Sequence, residues 1–528
     1  MVPQPTHQGT NRRVTDHNPS AHWDTNSRVG NTAEHISPFG PDLEEGPPLK
    51  EEEEAQHRSD SKLSYPQHTT PVGGRLSGFL KEWQKITTDK WILKVIQFGY
   101  SLELMEKPKS RLPRQTSRKQ EDLNCLKHEV QELLQKNAIE EVPHRQRGTG
   151  VYSTYFLVQK QDLTMRPILD LRGLNRSIKT IHFKMTTLQG VIPLIRQGDY
   201  LATLDLKDAY LHIPMCQAHR KYLRFMIEGT HYQFKVLAFG VKSAPRVFTK
   251  CLAAVAAHLR RLGIHVYPYL DDWLIRAKTY DRCQKDVQKV IMTLHNLGFT
   301  VNAKKSSPIP QQEKIFLGAC LNTRTAHAYP AQKRAENIVK QTVHYRRGQS
   351  LTVRTVMRLM GMLASCIPLI PQARLHMRPI QEWLTCNWSQ ATGSWEDLVV
   401  VSKNIQEEMS WWSMGNILKG RSFLCPTPSV TITTDASHLG WGAHMGILRV
   451  RGLWGTAESH RHINWLELKT IHLALKAFRK QVEGRSVLIQ TDNTTAMFYL
   501  NKQGEQNHSS CHSLPRTYGN GQSKHRSR

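Results

Sequence analysis

The chain has 528 residues, 39% of them apolar, which allows several buried cores but is lean for a protein globular from end to end. Lys and Arg number 72 against 44 Asp and Glu, a formal net charge of +28, so the expected partner is a polyanion, with nucleic acid foremost. The nine cysteines stand singly with no Cys-x-x-Cys pair, and no apolar run approaches the length of about 18 needed to span a bilayer. Neither a zinc ribbon nor a disulfide framework is indicated, and no membrane partner is expected. The N-terminus has no apolar signal core, so the expectation is a soluble intracellular protein of the cytoplasm, the nucleus or both.

Residues 1 to about 75 are rich in His, Thr, Asn, Pro, Ser and Glu and hold few large apolar side chains, which predicts disorder. The stretches Phe79-Leu80-Lys81-Glu82-Trp83 and Trp91-Ile92-Leu93-Lys94-Val95-Ile96 are short and amphipathic, and the basic segment Lys107 to Arg118 reads as a nucleic-acid contact or a solvated linker. The expectation for 1–120 as a whole is a largely disordered polar and basic region. From 121 the pattern becomes globular. Asp122 reads as the cap of a helix bearing Leu126, Val130, Leu133 and Leu134. Strands are predicted at Tyr155-Phe156-Leu157-Val158, Pro167 to Leu171 and Tyr200 to Leu206, and helices from about Ala244 to Leu262 and Tyr280 to Leu297. Phe316 to Leu321 reads as one more strand, 330 to 420 as mostly helical, and alternating strands and helices resume at Val430.

Two acidic constellations sit on this frame. In the first, Tyr269-Leu270-Asp271-Asp272 lies between two apolar runs and reads as a tight hairpin with carboxylates at its tip. Such a tip repels itself unless a cation sits there, and Mg²⁺ suits oxygen ligands. Taken alone it reads as a solvated turn. Asp205 closes the β-rich run Tyr200 to Leu204 and, taken alone, reads as a helix cap or a ligand. Together, Asp205 and Asp271 on neighbouring strands can hold two Mg²⁺ ions about 4 Å apart for in-line phosphoryl transfer. In the second constellation, Val430 to Asp435 is a strand ending in an acid, Asn464-Trp465-Leu466-Glu467-Leu468 opens a helix, and Val487 to Asp492 is a second strand ending in an acid.

From about Glu121 to Pro379 the motifs resemble, in order, those of a retroelement reverse transcriptase, most closely the DIRS-type retrotransposon enzymes. They are Leu204-Asp205-Leu206-Lys207-Asp208-Ala209-Tyr210, Phe239-Gly240-Val241-Lys242-Ser243-Ala244-Pro245, Tyr269-Leu270-Asp271-Asp272, Leu297-Gly298-Phe299 with Lys304-Lys305-Ser306, and Phe316-Leu317-Gly318. The resemblance implies an α+β fold: a right-hand fingers, palm and thumb polymerase, with fingers and palm at 121–325 and a mostly helical thumb and connection at 326–425. It implies that Asp205 and Asp271 hold two Mg²⁺ ions, Mn²⁺ being able to substitute. Asp272, expected on the other side of a strand end, becomes a lesser ligand or an electrostatic neighbour. Tyr210 matches the residue that lies under the sugar and rejects a 2′-hydroxyl, with a core tyrosine as the alternative. Arg166 matches the fingers arginine that clamps the triphosphate. Lys160 is its expected partner cation, although Gln159 aligns equally well. Lys304 or Lys305 is expected to protonate the departing pyrophosphate, and Phe316-Leu317-Gly318 to grip the primer. Many retroviral enzymes carry Gln where Phe239 stands, so Phe239 predicts apolar packing, and Gly240 a close backbone approach.

Residues 426–505 resemble a ribonuclease H, a mixed α/β domain, with Asp435, Glu467 and Asp492 as its two-metal acids acting on RNA in an RNA–DNA hybrid. No Asp follows Asp492 and the only later Glu is Glu505, so 506–528 reads as a disordered or frame-shifted tail and the domain as truncated, with weak cleavage expected. In the thumb and connection, Arg354, Arg358 and Arg374 read as helix-surface residues or phosphate contacts. The implied partners are an RNA template, a DNA primer, an RNA–DNA hybrid and dNTPs; oligomeric state is not legible. The contrasting expectation is a degenerate relic that binds nucleic acid without full catalysis.

Overall fold

The structure is a computed structural model that describes residues 65–113, 120–159, 165–424 and 427–501. The expectation of a disordered region through residue 120 does not hold for 65–113. Leu80–Ile86 (α1) and Lys90–Phe98 (α2) are helices whose Trp83, Ile92, Val95 and Ile96 enter the largest hydrophobic core. Asp89 caps α2 by accepting from the Trp91 and Ile92 amides, the short-range signal behind its start. The polar composition around these helices hid them, because one or two large apolar residues per turn suffice once a neighbouring core completes the packing. Residues 1–64 and 114–119 lie outside the described residues.

The next helix, Gln120–Gln135 (α3), begins before Asp122, which therefore lies in the first turn rather than capping it, where an acid suits the helix dipole. Ile139–Glu141 (β1), Arg224–Ile227 (β5) and Thr230–Phe234 (β6) form an antiparallel sheet in the order β1-β6-β5. Tyr155–Gln159 (β2) and Met165–Leu169 (β3) form a separate ribbon, followed by the helix Arg172–Ser177 (α4).

The central sheet joins Tyr200–Asp205 (β4), His265–Tyr269 (β7), Asp272–Ala277 (β8) and Ser307–Gln311 (β9) in the order β7-β8-β4-β9, antiparallel throughout. Its strands are rich in Leu, Ile, Val and Tyr, residues that suit a pleated surface buried on both sides. One face packs on Ala244–Arg261 (α5) and Tyr280–Asn296 (α6), whose apolar stripes enter the core that also takes in α1 and α2. The other face, through Leu201, Tyr267 and Leu274, belongs to a second core shared with the chain beyond residue 315. That region holds the antiparallel strands Glu313–Phe316 (β10), Ala319–Asn322 (β11) and His327–Pro330 (β12). It also holds the helices Gln332–Thr342 (α7), Val353–Cys366 (α8), Ala373–Asn387 (α9) and Lys403–Trp411 (α10).

The single strand expected at Phe316 to Leu321 is instead a hairpin. Leu317 (φ 50) and Gly318 (φ 73) both take positive φ and form the two-residue turn between β10 and β11, with Phe316 opposite Ala319. Two positive φ values are what the twist of adjoining strands requires of such a loop, and Leu-Gly was the overlooked signal.

Past residue 427, Val430–Ala436 (β13), Gly440–Met445 (β14), Leu448–Leu453 (β15) and Val487–Gln490 (β16) make a second sheet in the order β15-β14-β13-β16. Only its β13–β16 pair is parallel, connected across the helix Ile463–Ala477 (α11), and Thr494–Asn501 (α12) follows. Among the described residues no helix is long and apolar enough to cross a membrane.

Candidate active site

The hairpin joining β7 to β8 has a loop of two residues, Leu270 and Asp271, closed by the pair Tyr269 and Asp272. Leu270 sits at φ 53, a left-handed conformation that costs a branched residue about 1–2 kcal/mol and that glycine would take freely. Strain of this kind persists where surrounding structure over-determines the backbone. Here the determinant is β4: the Leu206 amide donates to the Asp271 carbonyl at 2.9 Å, tying the loop to the strand end that carries Asp205.

Asp205 stands directly opposite Asp272 in the β4–β8 register. Residues so paired share a sheet face, so Asp272 does not look away from Asp205 as the sequence suggested. An isolated hairpin predicts alternation along its own strand, but only the neighbouring strand fixes which acid meets Asp205. The loop after α6 wraps the same edge. The Asn302 amide donates to the Asp205 carbonyl at 2.7 Å, and the Asp205 amide donates to Ser306 Oγ at 3.0 Å.

A groove of about 270 Å³ opens there, lined by Asp205, Asp272 and Lys305 and closed by the β10–β11 turn at Phe316, Leu317 and Gly318. Both candidate lysines are exposed, but it is Lys305 that lines the groove beside the acids and Lys304 that does not. Burial holds the Asp205 carboxyl above its ordinary range, and Asp271 adds to the rise, while Asn302 and Lys305 oppose it. Asp272 is pushed up to about 6 by desolvation, then by Asp271 and Asp205, even though its side chain lies open at the strand end. Asp271 thus raises both of its neighbours, as it would in a carboxylate cluster short of positive charge. Their oxygens are the donors that hard divalent cations take.

Tyr210 lies in the turn after β4, 9% exposed, with its ring 4.8 Å from Phe239 and 5.3 Å edge-on to Phe248. Its hydroxyl is pushed up to about 12, first by burial and then by Asp271 and Tyr269, which sets it beside the acidic hairpin. Phe239 is 57% exposed, so the aromatic pair has one buried and one open member. Gly240, at φ 89, follows at a point that only glycine enters without strain. The backbone of Arg166 pairs with Val158 across the β2–β3 ribbon. Lys160 lies outside the described residues. Arg354 donates to Glu396 at 2.7 Å, which favours the helix-surface reading for it.

Residues 158–321, which contain this whole edge, match the family model described as reverse transcriptase (RNA-dependent DNA polymerase). They are a reverse transcriptase domain. The chain is 22% identical over 438 residues to the enzymatic polyprotein of Figwort mosaic virus (strain DxS), covering 79% of this chain and 60% of the relative. It is 22% identical over 326 residues to the retrovirus-related Pol polyprotein from transposon opus of Drosophila melanogaster, covering 60% of this chain and 31% of the relative. The chain thus spans at most 60% of the length of these relatives. Among solved structures, it is similar to the foamy viral protease-reverse transcriptase dRH in complex with double-stranded DNA, with a TM-score of 0.52 and 17% identity over 82% of this chain and 77% of that one. The same viral protein in complex with RNA/DNA hybrid gives a TM-score of 0.52 and 15% identity over 88% of this chain and 67% of that one. The fold is accordingly a mixed α/β, polymerase-like one.

A second acidic site lies beyond the reverse transcriptase domain. Asp435 near the end of β13, Glu467 in α11 and Asp492 just past β16 bring one oxygen each within 4.8 Å of one another. The parallel β13–β16 pairing brings the two strand ends together, and α11, packed on the sheet, buries Glu467 close to both aspartates. Glu467 is 3% exposed, and its carboxyl is pushed up to about 7 by burial, then by Asp492 and Asp435. Thr491 Oγ1 donates to Glu467 at 3.4 Å, and Asn493 donates to Asn464 at 3.0 Å, fastening the loop of Asp492 to the start of α11. The sequence offered no warning of this amide pair.

Proposed function

We propose that the chain is an RNA-directed DNA polymerase of a retrotransposon, of the DIRS type by its motifs, that joins dNTPs to a primer 3′-hydroxyl on an RNA template. The observation that carries this reading is the convergence of Asp205, Asp271 and Asp272 on one sheet edge beside Lys305, inside the reverse transcriptase domain. Asp205, Asp271 and Asp272 are the residues that would hold two divalent cations, Mg²⁺ with Mn²⁺ able to substitute. When bound, the cations supply charge neutralisation for the attacking hydroxyl and the departing pyrophosphate.

The remaining work falls to the chain itself. The strained hairpin, tied to β4, keeps the carboxylates in place so that little reorganisation is needed at reaction. Lys305 holds a proton at Nζ at the rim of the groove, where a leaving pyrophosphate would take it. Arg166 and Lys160 grip the triphosphate in this reading, on their sequence positions. Tyr210 and Phe239 make the wall that a 2′-hydroxyl would strike. The turn at Leu317 and Gly318 closes the groove from the side where a primer end would lie.

Purified chain given a primed RNA template, dNTPs and Mg²⁺ is expected to extend the primer. Salt-sensitive binding with no incorporation in any divalent metal overturns the proposal in favour of a non-catalytic binder. Within an active enzyme, Lys305→Ala is expected to slow incorporation about 100-fold, as for loss of a general acid, while Lys304→Ala changes it only a few-fold. Equal effects at the two lysines would sink the assignment of Lys305.

The second site supports a further activity, ribonuclease H-type cleavage of the RNA strand of an RNA–DNA hybrid. Its three acids are the one group of three such side chains among the described residues whose ligand atoms all lie within 4.8 Å of one another. A labelled hybrid tests it: cleavage that disappears in both Asp435→Asn and Glu467→Gln supports the site. Cleavage unchanged in those variants places the activity elsewhere.

A further inference from the structure

Asn175 is the residue in α4 that neither motif nor charge singled out, and it makes two opposed hydrogen bonds to one loop. Its Nδ2 donates to the Gly240 carbonyl at 2.9 Å, and its Oδ1 accepts from the Lys242 amide at 2.8 Å. An amide head donates from its nitrogen while it accepts at its oxygen, so one side chain holds both groups of the loop. The loop so held, Phe239 to Lys242, begins with the exposed ring that packs on Tyr210. It is fastened again where Lys242 Nζ donates to the Ile178 carbonyl at 3.1 Å, just past the end of α4. Gly240 itself lies over the end of β3, where an added Cβ would come 3.6 Å from the Leu169 carbonyl. A phenyl ring carries no hydrogen-bonding group to fix it, and that of Phe239 is more than half open. Its orientation is set by the backbone on which it is mounted, and Asn175 sets that backbone.

We infer that Asn175 is a positioning residue for sugar selection: it holds Phe239 against Tyr210 and so fixes the wall that tells a dNTP from an rNTP. The inference rests on the polymerase reading above. It is distinct from a role in metal binding or in the chemical step, since Asn175 bonds to the loop and not to the acids.

Single-nucleotide incorporation by the full chain on a primed RNA template, with dNTP and with the matching rNTP, tests it. Asn175→Ala is expected to raise KM for the dNTP about tenfold and to narrow the dNTP-over-rNTP preference about tenfold, with kcat changed less, on the scale of a lost hydrogen-bond pair. Phe239→Ala is expected to give the same narrowing, and the double variant no more than either alone, because both remove one positioned ring. Asn175→Asp, which keeps the acceptor for Lys242 and loses the donor to Gly240, serves where Asn175→Ala melts early. An unchanged preference in a folded Asn175 variant, or narrowing that multiplies in the double variant, overturns the inference while wild-type extension stands. No extension by the wild-type chain overturns the polymerase reading, and this inference with it.

Discussion

Asp271→Asn is expected to lower primer extension by about a thousandfold or more while leaving folding and duplex binding near wild type. The substitution keeps size and hydrogen-bonding shape and removes the negative charge that helps to raise the carboxyls of Asp205 and Asp272. Loss of residues that merely orient a metal ligand costs about 10–100-fold, so loss of a ligand itself should cost more. Stability should not fall, because removing a like charge from a crowded group relieves repulsion. Asp205→Asn should match it in activity. The β4–β8 register makes the more informative comparison Asp272→Asn. Placed opposite Asp205 on a shared face, Asp272 is expected to lose at least about tenfold, where a residue turned away would lose little. Rapid-quench incorporation with a thermal melt of each variant reads both quantities. Extension undiminished in Asp271→Asn would remove the hairpin from the active centre.

How much of this was legible in the sequence follows from the range of the interactions. The acids lie on strands announced by their own apolar runs, and β4 ends within one residue of its predicted bound. Cross-strand register was not legible, since period-two alternation says which residues share a face of one strand but not which residue stands opposite on the next. That is why Asp272 was turned the wrong way and why two lysines remained open until the loop from Asn302 to Ser306 was seen to wrap β4. Asn175 left no signal at all, because a side chain that clamps a backbone 65 residues away has no local pattern. Composition misled most at 65–113, where a polar average concealed a few residues that complete a distant core.

Trp83 shows what that concealment cost, and Trp83→Ala is expected to destabilise the fold by about 3–5 kcal/mol, the scale for a fully buried tryptophan. Its side chain is 0% exposed, its Nε1 donates to the Leu297 carbonyl at 3.1 Å, and its ring meets Phe299 edge-on at 6.0 Å. Folded domains are stable by only about 5–15 kcal/mol, so one such loss consumes much of the margin. Trp83→Phe keeps most of the packing but strands the Leu297 carbonyl, for an expected cost of about 1–3 kcal/mol. The anchoring point also gives the substitution a functional consequence. Leu297, Gly298 and Phe299 lead directly into the loop whose Asn302, Lys305 and Ser306 surround Asp205. Gly298, at φ 91, passes so close to Phe79 that an added Cβ would lie 2.8 Å from its ring. The segment before α3 therefore clamps the far end of the active-site loop, and extension should fall in Trp83→Ala even at temperatures where the variant remains folded. Urea denaturation gives the stability and extension at low temperature gives the coupling. A cost below about 1 kcal/mol for Trp83→Ala would mean that the segment merely rests on the domain rather than completing its core.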